Sequence, residues 1–101
     1  MKLVITDEAT ADLNEIADWI AAANPRRALS FVDELKNRCA RLIDMPRAYP
    51  LLPRHEASGV RRLPHGDFLV FYRVRKDTVE IIHVLHGARD YEEILFPDRA
   101  E

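Results

Sequence analysis

Cysteine is nearly missing from this chain. A single one, Cys39, stands among 101 residues, so no internal disulfide can form and a reducing compartment is the simplest reading. Glycine is almost as scarce, with three. There is no glycine-rich phosphate loop and no GxSxG elbow, and Ser30 and Ser58 have no evident base beside them. Low-complexity tracts and internal repeats are absent, which argues against disorder and repeat architectures. The start, MKLVITDEATADL, holds no apolar run of signal-peptide length, and nothing downstream could span a bilayer. A cytoplasmic protein without a membrane partner is expected. Positive charge is not in excess either. The 15 Lys and Arg against 17 Asp and Glu leave a net charge of −2, a poor balance for coating nucleic acid by bulk electrostatics. No metal set is complete. His83-x-x-His86 would put two rings on opposite faces of a strand, and no acidic or thiol cluster completes a ligand set. No metal and no cofactor are expected.

What is present reads as one domain over residues 1–101 with a modest core. Charge is unevenly placed. Asp7, Glu8, Asp12, Glu15 and Asp18 cluster early, whereas residues 46–76 are rich in arginine. An acidic end and a basic sheet side are therefore expected. Lys2 to Thr6 is β-prone and suits a buried strand or one pinned at a sheet edge. Thr6 or Asp7 can cap a helix whose apolar stripe is Ala9, Leu13, Ile16, Ala17 and Ile20. Trp19 lies at the edge of that stripe, where it would cover the core margin or a partner. Asn24-Pro25 breaks the helix and starts a second. This one is expected from Pro25 to Asp44, with Ala28, Val32, Leu35, Cys39 and Leu42 inward and Phe31 and Ile43 widening the stripe. Cys39 reads as a small buried hydrophobe rather than a nucleophile. An irregular proline-bearing loop follows to Ser58, pinned by Tyr49, Leu51 and Leu52.

The stretch VRRLPHGDFLVFYRVRKDTVEIIHVLHGARDYEEI then reads as an antiparallel meander. Its strands are expected at Val60–Leu63, Phe68–Val74 and Val79–His86. A two-residue turn at Lys76-Asp77 would set Val74 opposite Val79 and place His83 among Phe68, Val70 and Tyr72. A three-residue turn with a bulge would group Leu69, Phe71 and Arg73 with Ile81 and His83 on an outer face. The second register is preferred because it spares the core an unpaired imidazole. One face would pack on the helices, and the other would offer Arg73 and His83 among exposed apolar residues for a partner to cover. The tail from Ala88 to Glu101 could form a helical turn through Leu95 before Pro97.

Cations run through this sheet: Arg61, Arg62, Arg73, His83, His86 and Arg89, with Tyr91 beside them. Such a set could cleave RNA without a metal, with His83 or His86 as acid or base and Arg73 or Arg89 stabilising phosphorane-like charge. The plainer reading is a protein-binding surface, with His86-Gly87 simply ending a strand.

The segments ADLNEIADWIAAANPRRALSFVDEL, VRRLPHGDFLVFYRV and VEIIHVLHGARDYEEIL resemble the ParE branch of the RelE/ParE toxin superfamily. These are toxins of bacterial type II toxin–antitoxin modules, often described as plasmid-stabilisation proteins. The resemblance implies an α+β fold of order β-α-α-β-β-β. It implies a ParD-like antitoxin that wraps the toxin and alone contacts operator DNA, and DNA gyrase as target. RelE-like relatives instead cleave mRNA on the ribosome. Of their catalytic residues, the arginine after the last strand's glycine matches Arg89. Their strand arginine falls on Leu69, their C-terminal tyrosine falls near Leu95 with Tyr91 four residues away, and their paired lysines fall near Val60 and Arg62. With most of that set missing, a binding inhibitor is favoured over a metal-independent endoribonuclease using His83 or His86 with Arg89. The expected toxic surface is Arg62, Arg73, His86, Arg89 and Tyr91. The expected antitoxin contacts are Trp19, Leu69, Phe71, Arg73, Ile81 and His83. A non-toxic family member that only binds antitoxin is the remaining reading.

Overall fold

The computed structural model describes residues 1–97, so the last four residues of the expected tail lie outside it. The elements are β1 (Lys2–Ile5), α1 (Asp7–Ala21), α2 (Pro25–Arg41), a 3-10 turn (Glu56–Ser58), β2 (Val60–His65), β3 (Phe68–Arg75), β4 (Thr78–His86) and α3 (Tyr91–Leu95). The four strands form one sheet in the order β1-β4-β3-β2. β1 runs parallel to β4, and the other pairs are antiparallel. This is the expected α+β layout, with β1 pinned at an edge.

Local chemistry sets the helix boundaries. Thr6 caps α1 by accepting the Ala9 N–H at 3.1 Å. Asn24 caps α2 by accepting the Arg27 N–H at 3.1 Å, with Pro25 at the first helical position, where its missing N–H costs nothing. α2 stops at Arg41 rather than Asp44. Leu42, Ile43 and Asp44 bond to the carbonyls of Cys39, Ala40 and Arg41, so the chain tightens into i→i−3 turns. The two helices lie on one face of the sheet. Ala9, Leu13, Phe31, Leu35, Cys39 and Leu42 pack there against Leu63, Val70, Tyr72, Val79, Ile81 and Val84. Tyr72 is fully buried, and its hydroxyl donates to the Pro46 carbonyl at 2.9 Å, so its polar atom is not stranded in the core.

The meander differs from expectation at both turns. β2 runs on through Pro64 and His65, leaving Gly66-Asp67 as the turn. The β3–β4 turn is Lys76-Asp77, with Val74 opposite Val79. Both turns place their first residue in the left-handed region, Gly66 at φ 59° and Lys76 at φ 52°. Tight hairpins that match strand twist require this. The irregularity assigned to the turn sits instead inside β4. Ile81 faces Tyr72, His83 faces Phe71, and Ile82 is the extra residue of a bulge. Ile81 is thereby turned into the helix-side core at 1% exposure, not onto the outer face.

The bulge leaves main-chain groups outside the regular ladder, and two residues near the start of α1 receive them. The Thr6 N–H donates to the Ile81 carbonyl at 3.1 Å. The Thr6 hydroxyl lies 2.8 Å from the Ile81 carbonyl and 3.1 Å from that of Ile82. Asp12 Oδ2 accepts the Val84 N–H at 2.9 Å and lies 2.7 Å from His83 Nδ1. His83 is therefore fastened to α1 and does not stand beside Arg73 on an open face. A bulge without glycine is held by such satisfied valences.

The second face is also not bare. Leu52, Val60, Phe71 and Leu85 form a smaller core there, covered by Leu69, Ile82, Tyr91, Ile94, Leu95 and Phe96. The loop before β2 and the segment after β4 supply that cover from the chain itself.

Candidate functional site

Two clusters gather the residues singled out in the sequence. The first is an open hollow of about 360 Å³ lined by Glu15, Ile16 and Trp19 of α1, Phe68 of β3, His86 at the end of β4, and Arg89. The i, i+4 spacing puts Glu15 and Trp19 on one side of α1. The indole is 72% exposed, an unusual state for so large an apolar group. Phe68 continues an aromatic row. Its ring lies 5.3 Å from His86 and 5.3 Å from Phe31, edge-on to both, and the Arg27 guanidinium sits 5.6 Å above Phe31. His86 Nδ1 accepts the Ala88 N–H at 3.0 Å. The neutral ring therefore carries its proton on Nε2, and the bond closes the turn that brings Arg89 to the hollow.

The second cluster fastens the tail. Arg62 donates to the Tyr91 hydroxyl at 3.2 Å, and the Tyr91 ring lies 5.0 Å from Phe71. Glu92 Oε2 meets Arg54 at 3.1 Å and His55 Nε2 at 3.2 Å. Phe96 stacks on His55 at 4.2 Å with planes 14° apart.

Of the expected toxic surface, His86 and Arg89 thus share the hollow, while Arg62 and Tyr91 form a pair in the tail clasp. Arg73 is held by Glu80 at 3.2 Å, and its Nε is buried without a partner. Of the expected antitoxin contacts, Trp19 stands open and Leu69 and Arg73 are half-buried. Phe71, at 0% exposure, and Ile81 lie inside the two cores, and His83 is engaged by Asp12. Of the catalytic option, His86 and Arg89 share the hollow, whereas His83 is bonded through Nδ1 to Asp12 and does not line it. Among the described residues, no group of three or more His, Cys, Asp or Glu could hold a metal ion, and no helix is long and apolar enough to cross a membrane.

Sequence reading missed Asp12 as the bulge acceptor, His55 and Glu92 in the tail clasp, and a cluster around Arg38. Arg38 donates to the Pro64 carbonyl at 2.7 Å and to the Tyr49 hydroxyl at 3.0 Å, and lies 3.3 Å from His65 Nδ1. Burial, then the nearby Arg38 charge, lowers the His65 pKa from its ordinary value. Cys39 is buried, and burial pushes its thiol up to about 11, so it is no nucleophile at neutral pH.

This geometry agrees with what the chain resembles. A solved structure described as the chromosomal ParDE toxin–antitoxin system from P. aeruginosa is similar over 85% of this chain and 95% of its own, at 26% identity and TM-score 0.72. The RelBE2 toxin–antitoxin complex from Mycobacterium tuberculosis shares the fold over 84% of this chain and 95% of its own, at 24% identity and TM-score 0.57. None of the curated proteins matches the chain significantly. The family described as "ParE toxin of type II toxin-antitoxin system, parDE" matches residues 3–91, and the chain belongs to that family of toxins.

Proposed function

We propose that this ParE-type toxin acts by binding a protein, with DNA gyrase as its target, and that a ParD-like antitoxin neutralises it and supplies the contact with operator DNA. The observation that carries this reading is the hollow beside Trp19. Exposed indole, Ile16 and Phe68 give it apolar walls, and Glu15, His86 and Arg89 give it a polar rim. Apolar walls with a few polar groups suit a protein side chain. A phosphate backbone would call for a denser array of cations. The ParE resemblance supports gyrase as the target class, and the ParDE likeness supports the antitoxin class.

Purified protein is expected to block gyrase supercoiling, with Trp19→Ala and Arg89→Ala each weakening inhibition by tenfold or more, as expected for anchor residues. No inhibition at large molar excess would overturn the gyrase assignment. Because His86 and Arg89 share the hollow, the same preparation is also tested for ribosome-dependent mRNA cleavage. Codon-linked cuts by primer extension that vanish in Arg89→Ala would replace the binding mechanism with an endonuclease. Growth arrest on induction, relieved by the neighbouring antitoxin gene, tests toxicity itself, and its absence would assign the chain to antitoxin binding alone.

A further inference from the structure

The hollow beside Trp19 carries charge of both signs, and neither sign is neutralised from within. Glu15 and Arg89 both line it, and both are exposed. Among the described residues, neither lies within salt-bridge distance of an opposite charge, and they do not pair with each other. Their neighbours in the chain are engaged. Asp12, one turn earlier on α1, holds His83 and the Val84 N–H. Glu92, just past Arg89, holds Arg54 and His55.

The aromatic wall is equally unused. Trp19 is the single tryptophan of the chain and is 72% exposed. Among the described residues no cation lies over its ring, whereas Arg27 sits above Phe31 on α2. The i, i+4 spacing sets the Glu15 carboxylate one turn below the indole on the same side of α1. A cation lying flat on the indole would therefore meet a carboxylate at its edge. A guanidinium satisfies both demands. Its face stacks on the ring, and its in-plane N–H groups donate to the carboxylate. An ammonium is a compact, strongly hydrated charge without a flat face. Ile16 and Phe68 would receive the apolar stem that an arginine brings with it. Arg89 would repel a lone guanidinium, so the same partner must also bring an acid.

We propose that the hollow receives an arginine of the target protein, stacked on Trp19 and paired with Glu15, from a segment that also carries a carboxylate for Arg89. The inference rests on the reading of the hollow as the target-binding site and names the chemistry of its partner. An aromatic side chain alone fits less well, because it would cover Glu15 and Arg89 and leave both charges without partners. A nucleotide could stack its base on the indole, but its phosphate would meet one arginine with the Glu15 carboxylate in the same hollow.

Because Trp19 is the single tryptophan, its fluorescence reports on the hollow directly. The probe is N-acetyl-arginine, which holds a guanidinium and a carboxylate in one small molecule. Its neutral counterpart of the same shape is N-acetyl-citrulline. With the full chain, the arginine probe is expected to shift the emission at about tenfold lower concentration than the citrulline probe, and Glu15→Gln is expected to abolish that difference. In the supercoiling assay, Glu15→Gln is expected to weaken gyrase inhibition by about tenfold, whereas Glu8→Gln, outside the hollow on the same helix, leaves it unchanged. Equal responses to the two probes, or a preference that survives Glu15→Gln, overturns the proposal. A tighter response to guanosine monophosphate that is lost in Arg89→Ala overturns it in favour of a nucleotide. Gyrase inhibition that is indifferent to Glu15→Gln overturns this inference and leaves the gyrase reading standing. A chain that prefers the arginine probe through Glu15 but does not inhibit gyrase overturns the gyrase reading and upholds an arginine-bearing partner.

Discussion

The two faces of the sheet are closed by unequal means. On one face, two capped helices of several turns bury a continuous aliphatic and aromatic core. On the other, a loop and the short α3 cover four buried residues. A helix as short as Tyr91–Leu95 has no stability of its own. It is held by contacts that water weakens. Arg54, which pairs with Glu92, is 80% exposed, and such bridges contribute little. The firmer fastenings are the Tyr91 ring on Phe71 and the Phe96 ring on His55. The helical face therefore sets global stability, and the tail face is where local opening costs least.

Equal chemistry on the two faces gives the sharpest test. Leu35→Ala, in the helix-side core, is expected to cost about 3–5 kcal/mol in denaturant unfolding, and Leu95→Ala, half-buried on the tail side, about 1 kcal/mol. Equal costs would break the comparison. Next in size is Asp12→Ala, which strips the acceptor from the Val84 N–H and from His83 at the bulge. A loss of about 2–3 kcal/mol is expected, with faster amide exchange at Val84. A change within about 0.5 kcal/mol would mean that the bulge holds without α1.

Cys39 separates the faces kinetically. Its thiol lies in the helix-side core, so thiol labelling at pH 8 should be slow and limited by global unfolding. Glu92→Ala, which loosens the tail, should leave that rate unchanged. The sign for pH follows from the raised pKa. The folded thiol titrates at about 11 against an ordinary 9.0, so its contribution is intact below pH 9 and is lost as pH rises between these values. The smallest effect concerns His65. Its folded pKa is depressed, so its contribution is present above the ordinary value and lost as pH falls through the lowered one. An NMR titration of the ring should give a midpoint below 6.5, moving up in Arg38→Gln as the second cause of the shift is removed.

The helical face was legible because its signals are local. Thr6, Asn24-Pro25 and the stripe from Ala28 to Leu42 each act within a turn or two of their own position. The meander's register was not, because its determinants are distant or disguised. Lys76 adopts a conformation usually left to glycine, and the bulge at Ile82 is stabilised by Thr6 and Asp12, some seventy residues away in the chain. The cover of the second face was equally hidden. Loop and tail offer only scattered apolar residues, and their burial depends on meeting Phe71 and Leu85. The same holds for the hollow: Trp19, His86 and Arg89 were each marked, but their meeting with Phe68 follows from the fold.

The Arg38 bond to the Pro64 carbonyl, with the Leu52 N–H on the Val60 carbonyl and the Arg62 N–H on the Pro50 carbonyl, closes the β2 edge and makes the sheet one-sided as a polymerising unit. Growth of a ribbon by edge pairing needs two reactive edges on every subunit. With β2 capped, each molecule is a chain terminator: one added strand at β1 completes it, and a pair of molecules joined there has no edge left to extend. An open edge at β1 alone therefore cannot seed a fibre.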